Sequence, residues 1–198
     1  FFFKQKTAYE ISTRDWSSDV CSSDLDLPLL RPGEVLETVP GLVVTQHSGD
    51  GKANQYFLRG YNLDHGTDFA SFVDGVPANM PTHAHGQGYS DLNFLIPELI
   101  GRIDYRKGPY FAQEGDFASA GSARIQYIDR LDHTLLNLTG GSHQYGRVLL
   151  AGSPPWLGLD NASGPRLVTA LELVGDNGPR SEEHTSELQS RVDISYAV

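Results

Sequence analysis

An α+β domain followed by a truncated antiparallel β meander is the fold that the sequence predicts for residues 26–179. Three observations predict it. A short helical apolar spacing opens the stretch. Asp74-Gly75 then lies between two apolar runs, a pairing favoured in two-residue hairpin loops because both residues tolerate positive φ. From about Arg124 onward, alternating segments follow one another with only Gly, Ser and Pro turns between them and no helical pattern.

Taken in order, Arg31-Pro32-Gly33 starts a turn that continues as a short amphipathic helix with Val35, Leu36 and Val39 on one face, and Pro40-Gly41 stops it. Leu42–Thr45 and Gln55–Arg59 read as strands, the second ended by Gly60. Phe69–Val73 and Val76–Asn79 form the arms of the hairpin, with Pro77 restricting the second arm to a sheet edge. Met80–Ser90 is a loop rich in His and Gly, Leu92–Leu99 is a short helix broken by Pro97, and Arg102–Arg106 is a strand ending at Lys107-Gly108-Pro109. The meander strands are Thr134–Leu138, Arg147–Ala151 and Arg166–Leu173.

The two ends read differently. Residues 4–25 and 180–198 both resemble translated sequencing adapter. With suitable codons, the reverse complement of the DNA for Arg180–Ser190 spells Asp15–Leu25 in a shifted frame, and Ile194–Val198 gives back Thr7–Glu10 and the start of Ile11 in the same way. Residues 1–25 and 180–198 are therefore expected to be non-native, to contribute nothing to the core, and to stand outside fold reasoning. The only cysteine, Cys21, lies in that part, so no disulfide framework or thiolate ligand is expected between the flanks.

The chain has 15 basic and 25 acidic residues; the flanks hold five and eight of these, leaving 10 and 17 between them, a net charge of −7. Nucleic-acid backbone binding needs clustered Lys and Arg, which this balance speaks against. No apolar run reaches the roughly 18 residues of a transmembrane helix, a test that β-barrel strands escape because they need only about 9–11 alternating residues.

The ordered series Pro40-Gly41-Leu42-Val43-Val44, Leu58-Arg59-Gly60, Phe72-Val73-Asp74-Gly75-Val76-Pro77 and Ile100-Gly101-Arg102-Ile103-Asp104-Tyr105-Arg106-Lys107-Gly108-Pro109 is similar to the plug of TonB-dependent outer-membrane receptors over roughly residues 31–128. The resemblance implies a plug at 26–128, lodged in a barrel of about 22 strands, and the first barrel strands at 129–179. It implies a receptor and transporter of a Gram-negative outer membrane, not an enzyme, that imports a scarce solute with energy relayed by TonB. A ferric siderophore or another metal chelate is the expected solute; the chelate is cargo, and no cofactor is expected. The implied partners are that solute, the receptor's own barrel, the outer membrane, and TonB through an N-terminal segment outside this stretch. Three departures stand out. The TonB-binding segment is missing from this stretch, Lys107 takes the place of the usual Arg before Gly-Pro, and Ala120-Gly121-Ser122-Ala123 replaces the usual Gly-Gly close of the plug.

Arg59, Arg106 and Lys107 are candidates for plug–barrel contacts, with Arg59 favoured because Lys lacks the planar fork that matches a carboxylate. Gly60, Asp74, Gly75, Gly108 and Pro109 read as structural turn residues. His65, His83, His85 and Gln87 are candidate solute contacts on the loops Asn62–Asp68 and Met80–Ser90, with small residues Gly66, Ala84, Gly86 and Gly88 expected to let a bulky ligand approach the backbone. Imidazoles beside Asp64 and Asp68 suit a transition metal, and His83 and His85, on one side of an extended chain, are the metal candidates. The competing reading of these histidines is that they hold the Gly-rich loops together by hydrogen bonds. His47, His133 and His143 have no partner at ligand spacing, and Asp50 reads as a loop-solvating residue. A function of another class, a soluble metal-dependent hydrolase built on His83 and His85, would need further ligands on rigid strand ends and an open position for water.

Overall fold

The computed structural model describes residues 17–21, 29, 31–46, 52–153 and 166–177. His47, Asp50 and most of the two flanks lie outside the described residues. Two compact units are present, one closing at Gln126 and one running from Tyr127.

The first unit opens with a tight helical turn, Pro32–Thr38, of 3-10 type. Pro32 suits its first position because the N–H that proline lacks has no partner there, and Val35, Leu36 and Val39 are buried together. Strands β2 (Leu42–Thr45) and β3 (Gln55–Leu58) pair antiparallel, and the short β4 (Tyr61–Asn62) folds back on β3. A second sheet contains β1 (Ser17–Cys21), β5 (Phe69–Val73), β6 (Val76–Pro77), β7 (Ile100–Lys107) and β8 (Gly121–Tyr127), in the order β1-β7-β8-β5-β6. The hairpin forms as expected: Asp74 and Gly75 both have positive φ, 46° and 82°, and β6 with its Pro77 is the edge.

One expectation is corrected. Leu92–Leu99 is not a helix interrupted by Pro97. Pro97 instead starts a three-residue 3-10 turn that buries Leu99, while Leu92, Leu95 and Ile96 are buried from irregular backbone. The Ala120–Ala123 stretch enters a full strand, β8, which runs parallel to β5 with Phe69 opposite Gly121 and Val73 opposite Ile125. Gly121 is tightly enclosed, since a side chain there would run into the Arg106 carbonyl. Residues Ser17–Cys21, within the N-terminal flank, supply strand β1, antiparallel to β7 with Asp19 opposite Asp104. A strand edge pairs through backbone N–H and C=O groups, so it accepts a segment with little regard to its side chains.

The turn between β7 and β8 carries a charged knot. Glu114, buried at the end of the 3-10 turn Ala112–Glu114, takes Arg106 of β7 at 2.9 Å on one carboxylate oxygen and Arg124 of β8 at 2.8 Å on the other. Both guanidiniums also lie over rings, Arg106 on Phe111 at 4.5 Å and Arg124 on Phe72 at 4.2 Å.

The second unit is the expected meander, with β9 (Leu135–Gly140), β10 (Gly146–Gly152) and β11 (Thr169–Gly175) antiparallel in the order β11-β10-β9. Its register aligns two apolar rows on one face, Leu138-Val148-Leu173 and Leu136-Leu150-Leu171. All six side chains are exposed, from 39% to 69%. The other face holds the buried Leu149 and Ala151 and an ion pair between Arg147 and the buried Glu172.

Replacing Glu114 by Gln removes the charge that both arginines share. Breaking a fully buried pair costs about 3–5 kcal/mol; because both guanidiniums keep some water, a loss of about 2 kcal/mol is expected in urea unfolding. An unchanged midpoint would show that the knot contributes nothing.

Candidate functional site

The loop that carries His65 is built against the ordinary preferences of its backbone. Asp64, His65 and Gly66 all have positive φ, at 38°, 63° and 91°, and for each of the two non-glycine residues this conformation costs on the order of 1–3 kcal/mol. Hydrogen bonds hold it. The Leu63 carbonyl accepts from the backbone N–H groups of Gly66 and Thr67 and from the Thr67 hydroxyl, and the Asp64 N–H donates to Asn62 Oδ1.

His65 is buried, and its Nδ1 lies 2.8 Å from the Ala53 carbonyl and 3.2 Å from that of Asn54. Carbonyl oxygens only accept, so Nδ1 carries the proton and Nε2 is the ring's basic nitrogen. His65 therefore does hold its loop in place, which is the structural role expected as the alternative to ligand contact.

The second loop closes on itself through Met80 and Tyr89, whose N–H and carbonyl bond at 2.9 Å, and through Gly88 N–H to the Met80 carbonyl. Asn79 ties both loops to the sheet. Its side-chain carbonyl accepts from the Ser71 N–H at 2.7 Å, and its amide NH2 serves the carbonyls of Gly66, Phe69 and Gly88 at 3.0, 3.0 and 2.9 Å. Tyr89 is the second anchor: its hydroxyl accepts from the Ala53 N–H at 2.6 Å, and three imidazoles surround its ring. His83 stacks on it at 4.0 Å between centroids, His65 is tilted against it at 5.6 Å and His85 meets it edge-on at 5.9 Å. Below them Tyr56 is buried, and desolvation, with the nearby Asp91 and Tyr89, holds its phenol above the ordinary value and so neutral.

The imidazoles do not group as the sequence suggests. His83 lies on Tyr89 and its Nδ1 accepts from the backbone N–H of His85, whereas His85 turns toward His65, ring to ring at 4.6 Å, and toward Asp64, with Nε2 3.9 Å from Oδ1. Asp64, His65 and His85 each bring one ligand atom to within 4.8 Å of the others. Gln87 is exposed nearby. Asp68, also weighed for this cluster, instead accepts a hydrogen bond from the Ser119 hydroxyl. Two of the small residues serve the loops' own packing: a side chain at Gly66 would meet Ser90 Cβ at 2.8 Å and one at Gly88 would meet the Phe117 ring at 2.5 Å.

A separate cationic cleft of about 430 Å³ is lined by Arg59, Tyr61, Lys107, Gly108, Tyr110 and Ser119, among others. Gly60 and Gly108, the two turn glycines beside it, have φ of 82° and 90°. Arg59 is exposed; Lys107 donates from Nζ to the Pro40 carbonyl at 2.6 Å and lies 5.1 Å from the Tyr105 ring centre. Partial burial, and then the like charge of Arg59, lower the Lys107 pKa. Arg106, grouped with these two in the sequence, is turned to Glu114.

A family model described as the TonB-dependent receptor plug domain matches residues 22–122, just over half of the chain. The chain belongs to the TonB-dependent receptor plug family. Solved structures share the fold. The siderophore receptor PirA from Acinetobacter baumannii is 21% identical with a TM-score of 0.53, over 87% of this chain and 27% of that one. FpvA of P. aeruginosa, solved with bound heterologous pyoverdines, gives 22% and 0.58 over 83% and 20%. The copper transporter OprC gives 17% and 0.57 over 83% and 24%. The chain thus spans about a quarter of the length of the receptors it resembles. Membership of a receptor family removes the ground for the metal-dependent hydrolase reading.

Sequence reasoning missed Asn79 and Tyr89. The one available signal was a lone aromatic in a Gly- and His-rich loop.

Two measurements probe this plug. Asn79→Ala leaves the Ser71 N–H and three carbonyls short of a partner, at about 1–3 kcal/mol per buried group; a loss of about 3 kcal/mol in urea is expected, with faster exchange of the Ser71 amide, and a stability within error of the parent would refute the anchoring role. Arg59→Gln should raise the Lys107 pKa part of the way back toward 10.5, because the desolvation remains. An NMR titration of the Lys107 ammonium reads this directly, and an unmoved value would show that the two charges do not interact.

Proposed function

We propose that this chain is the plug and first barrel strands of an outer-membrane transporter that takes up a scarce solute using energy relayed by TonB, with a ferric siderophore or another metal chelate as cargo. The observation that carries the reading is the pairing of a family plug with a following meander whose one face is an exposed apolar ladder and whose other face holds Arg147–Glu172. Apolar residues outward and polar residues inward are what a barrel wall needs, with lipid on one side and a polar lumen on the other. Solved relatives named as siderophore receptors and a copper transporter support a metal-containing cargo.

In this reading the loops Asn62–Asp68 and Met80–Ser90 face the outside, and His65, His83, His85 and Gln87 meet the cargo. Arg59 and Lys107 offer their cleft to carboxylates of the receptor's own barrel, and TonB engages a segment of the full-length receptor N-terminal to this stretch. The host membrane is that of a Gram-negative cell.

The test uses the full-length receptor in an outer membrane, with uptake of radiolabelled iron chelates measured with and without TonB. TonB-dependent uptake is expected. The double variant His83→Ala, His85→Ala should lower cargo binding at least about tenfold, equivalent to about 1.4 kcal/mol, at normal receptor abundance. Unchanged binding rejects the contact role, and reduced abundance alone assigns these histidines to loop structure.

A further inference from the structure

We propose that Asp64, His65 and His85 form a divalent transition-metal site on the plug, with coordination positions left open for donor atoms of an incoming complex. The inference deepens the transport reading and rests on it for its biological direction, but the site itself is a property of this chain.

The donor set comes first. Two imidazoles and one carboxylate lie within 4.8 Å of one another on two loops, and this mixture suits Zn²⁺, Ni²⁺ or Cu²⁺ over the oxygen-seeking Ca²⁺ and Mg²⁺. Around a tetrahedral ion with bonds of about 2.0–2.1 Å, ligand atoms stand about 3.3 Å apart. The observed 3.9 Å between Asp64 Oδ1 and His85 Nε2 is close to that, and both side chains, 59% and 41% exposed, have room to turn.

His65 is the fixed member. Its Nδ1–H is spent on the Ala53 and Asn54 carbonyls, and a backbone carbonyl on the far nitrogen is the arrangement that orients a ligating imidazole and makes it more basic. The local backbone is held as firmly. Asp64 and His65 are both held at positive φ, a conformation that persists only where surrounding bonds enforce it and that concentrates at binding sites. Three protein ligands leave at least one position free. A cargo that already encloses its metal completely has no use for such a site, whereas a weakly chelated divalent ion does.

The experiment titrates the purified full chain with Ni²⁺, Zn²⁺ and Cu²⁺ by calorimetry. One saturable site is expected. Asp64→Asn, in which Asn tolerates the left-handed backbone, and His85→Ala should each weaken it by at least about 10–100-fold, the loss that removing a partner one bond further out already causes. His133→Ala should leave it unchanged. The Cu²⁺ spectrum should show two coupled imidazole nitrogens, falling to one in His85→Ala. Matching thermal melts exclude misfolding, and both variants change exposed side chains. Absence of a saturable site, or equal affinity in parent and both variants, overturns the proposal. Because transport is not involved, that failure would leave TonB-dependent uptake untouched, while loss of uptake with intact metal binding would count against the transport reading alone.

Discussion

The side-chain amide of Asn79 is the constraint on which the candidate site depends. The loops 62–68 and 80–90 contain no strand or helix longer than three residues, so little within either fixes its path. Asn79 follows the edge strand β6 and meets β5 at Ser71 and Phe69, one loop at Gly66 and the other at Gly88. One residue thus transmits the position of the sheet to both loops. Two amide hydrogens serve three carbonyls, so at least one bond is shared, and the carbonyl oxygen has the single backbone donor at Ser71. A shorter or charged side chain cannot reproduce that set.

The cationic residues divide by what surrounds them rather than by their place in the motif. Arg106 and Lys107 are adjacent on β7, and alternation along a strand sends them to opposite faces. On one face Arg106 finds buried Glu114; on the other Lys107 finds Arg59 and the Pro40 carbonyl. Glu114 already accepts from two guanidiniums, so its knot closes the β7–β8 turn internally. The cleft is the opposite case: two cations near each other, with Arg59 in no ion pair among the described residues. A carboxylate arriving there would offset both the repulsion and the desolvation that now depress Lys107.

What was legible in the sequence was local. Asp74-Gly75 requires positive φ at both positions, and four residues suffice to read it. Alternation in the meander is equally local, because each strand states its own inward and outward faces. Strand β8 was hidden for the converse reason. Gly121-Ser122-Ala123 has weak strand character of its own, and on the side away from its neighbour β7 it is held by a parallel partner 52 residues earlier in the chain, a pairing that no short window contains. Leu92–Leu99 misled because burial of four apolar residues needs only that they point inward, and irregular backbone with Pro97 achieves this as well as a helix. The histidine cluster was visible as composition but not as geometry. The sequence shows His83 and His85 two residues apart, yet a ring that stacks on Tyr89 and another that turns to His65 diverge within those two residues.

The strained turn at Asp64–Gly66 connects these observations. Left-handed backbone at a buried histidine is unfavourable in itself, and here it places the ring so that one nitrogen bonds the chain at Ala53 and the other remains the basic nitrogen. The conformation is maintained by bonds from Leu63, Ser90 and Asn79, all of them outside the three-residue turn. The two roles weighed for His65, holding the loop and contacting a ligand, are therefore not exclusive. Each uses a different nitrogen, and the hydrogen bond that fixes the loop also fixes the tautomer that coordination would require.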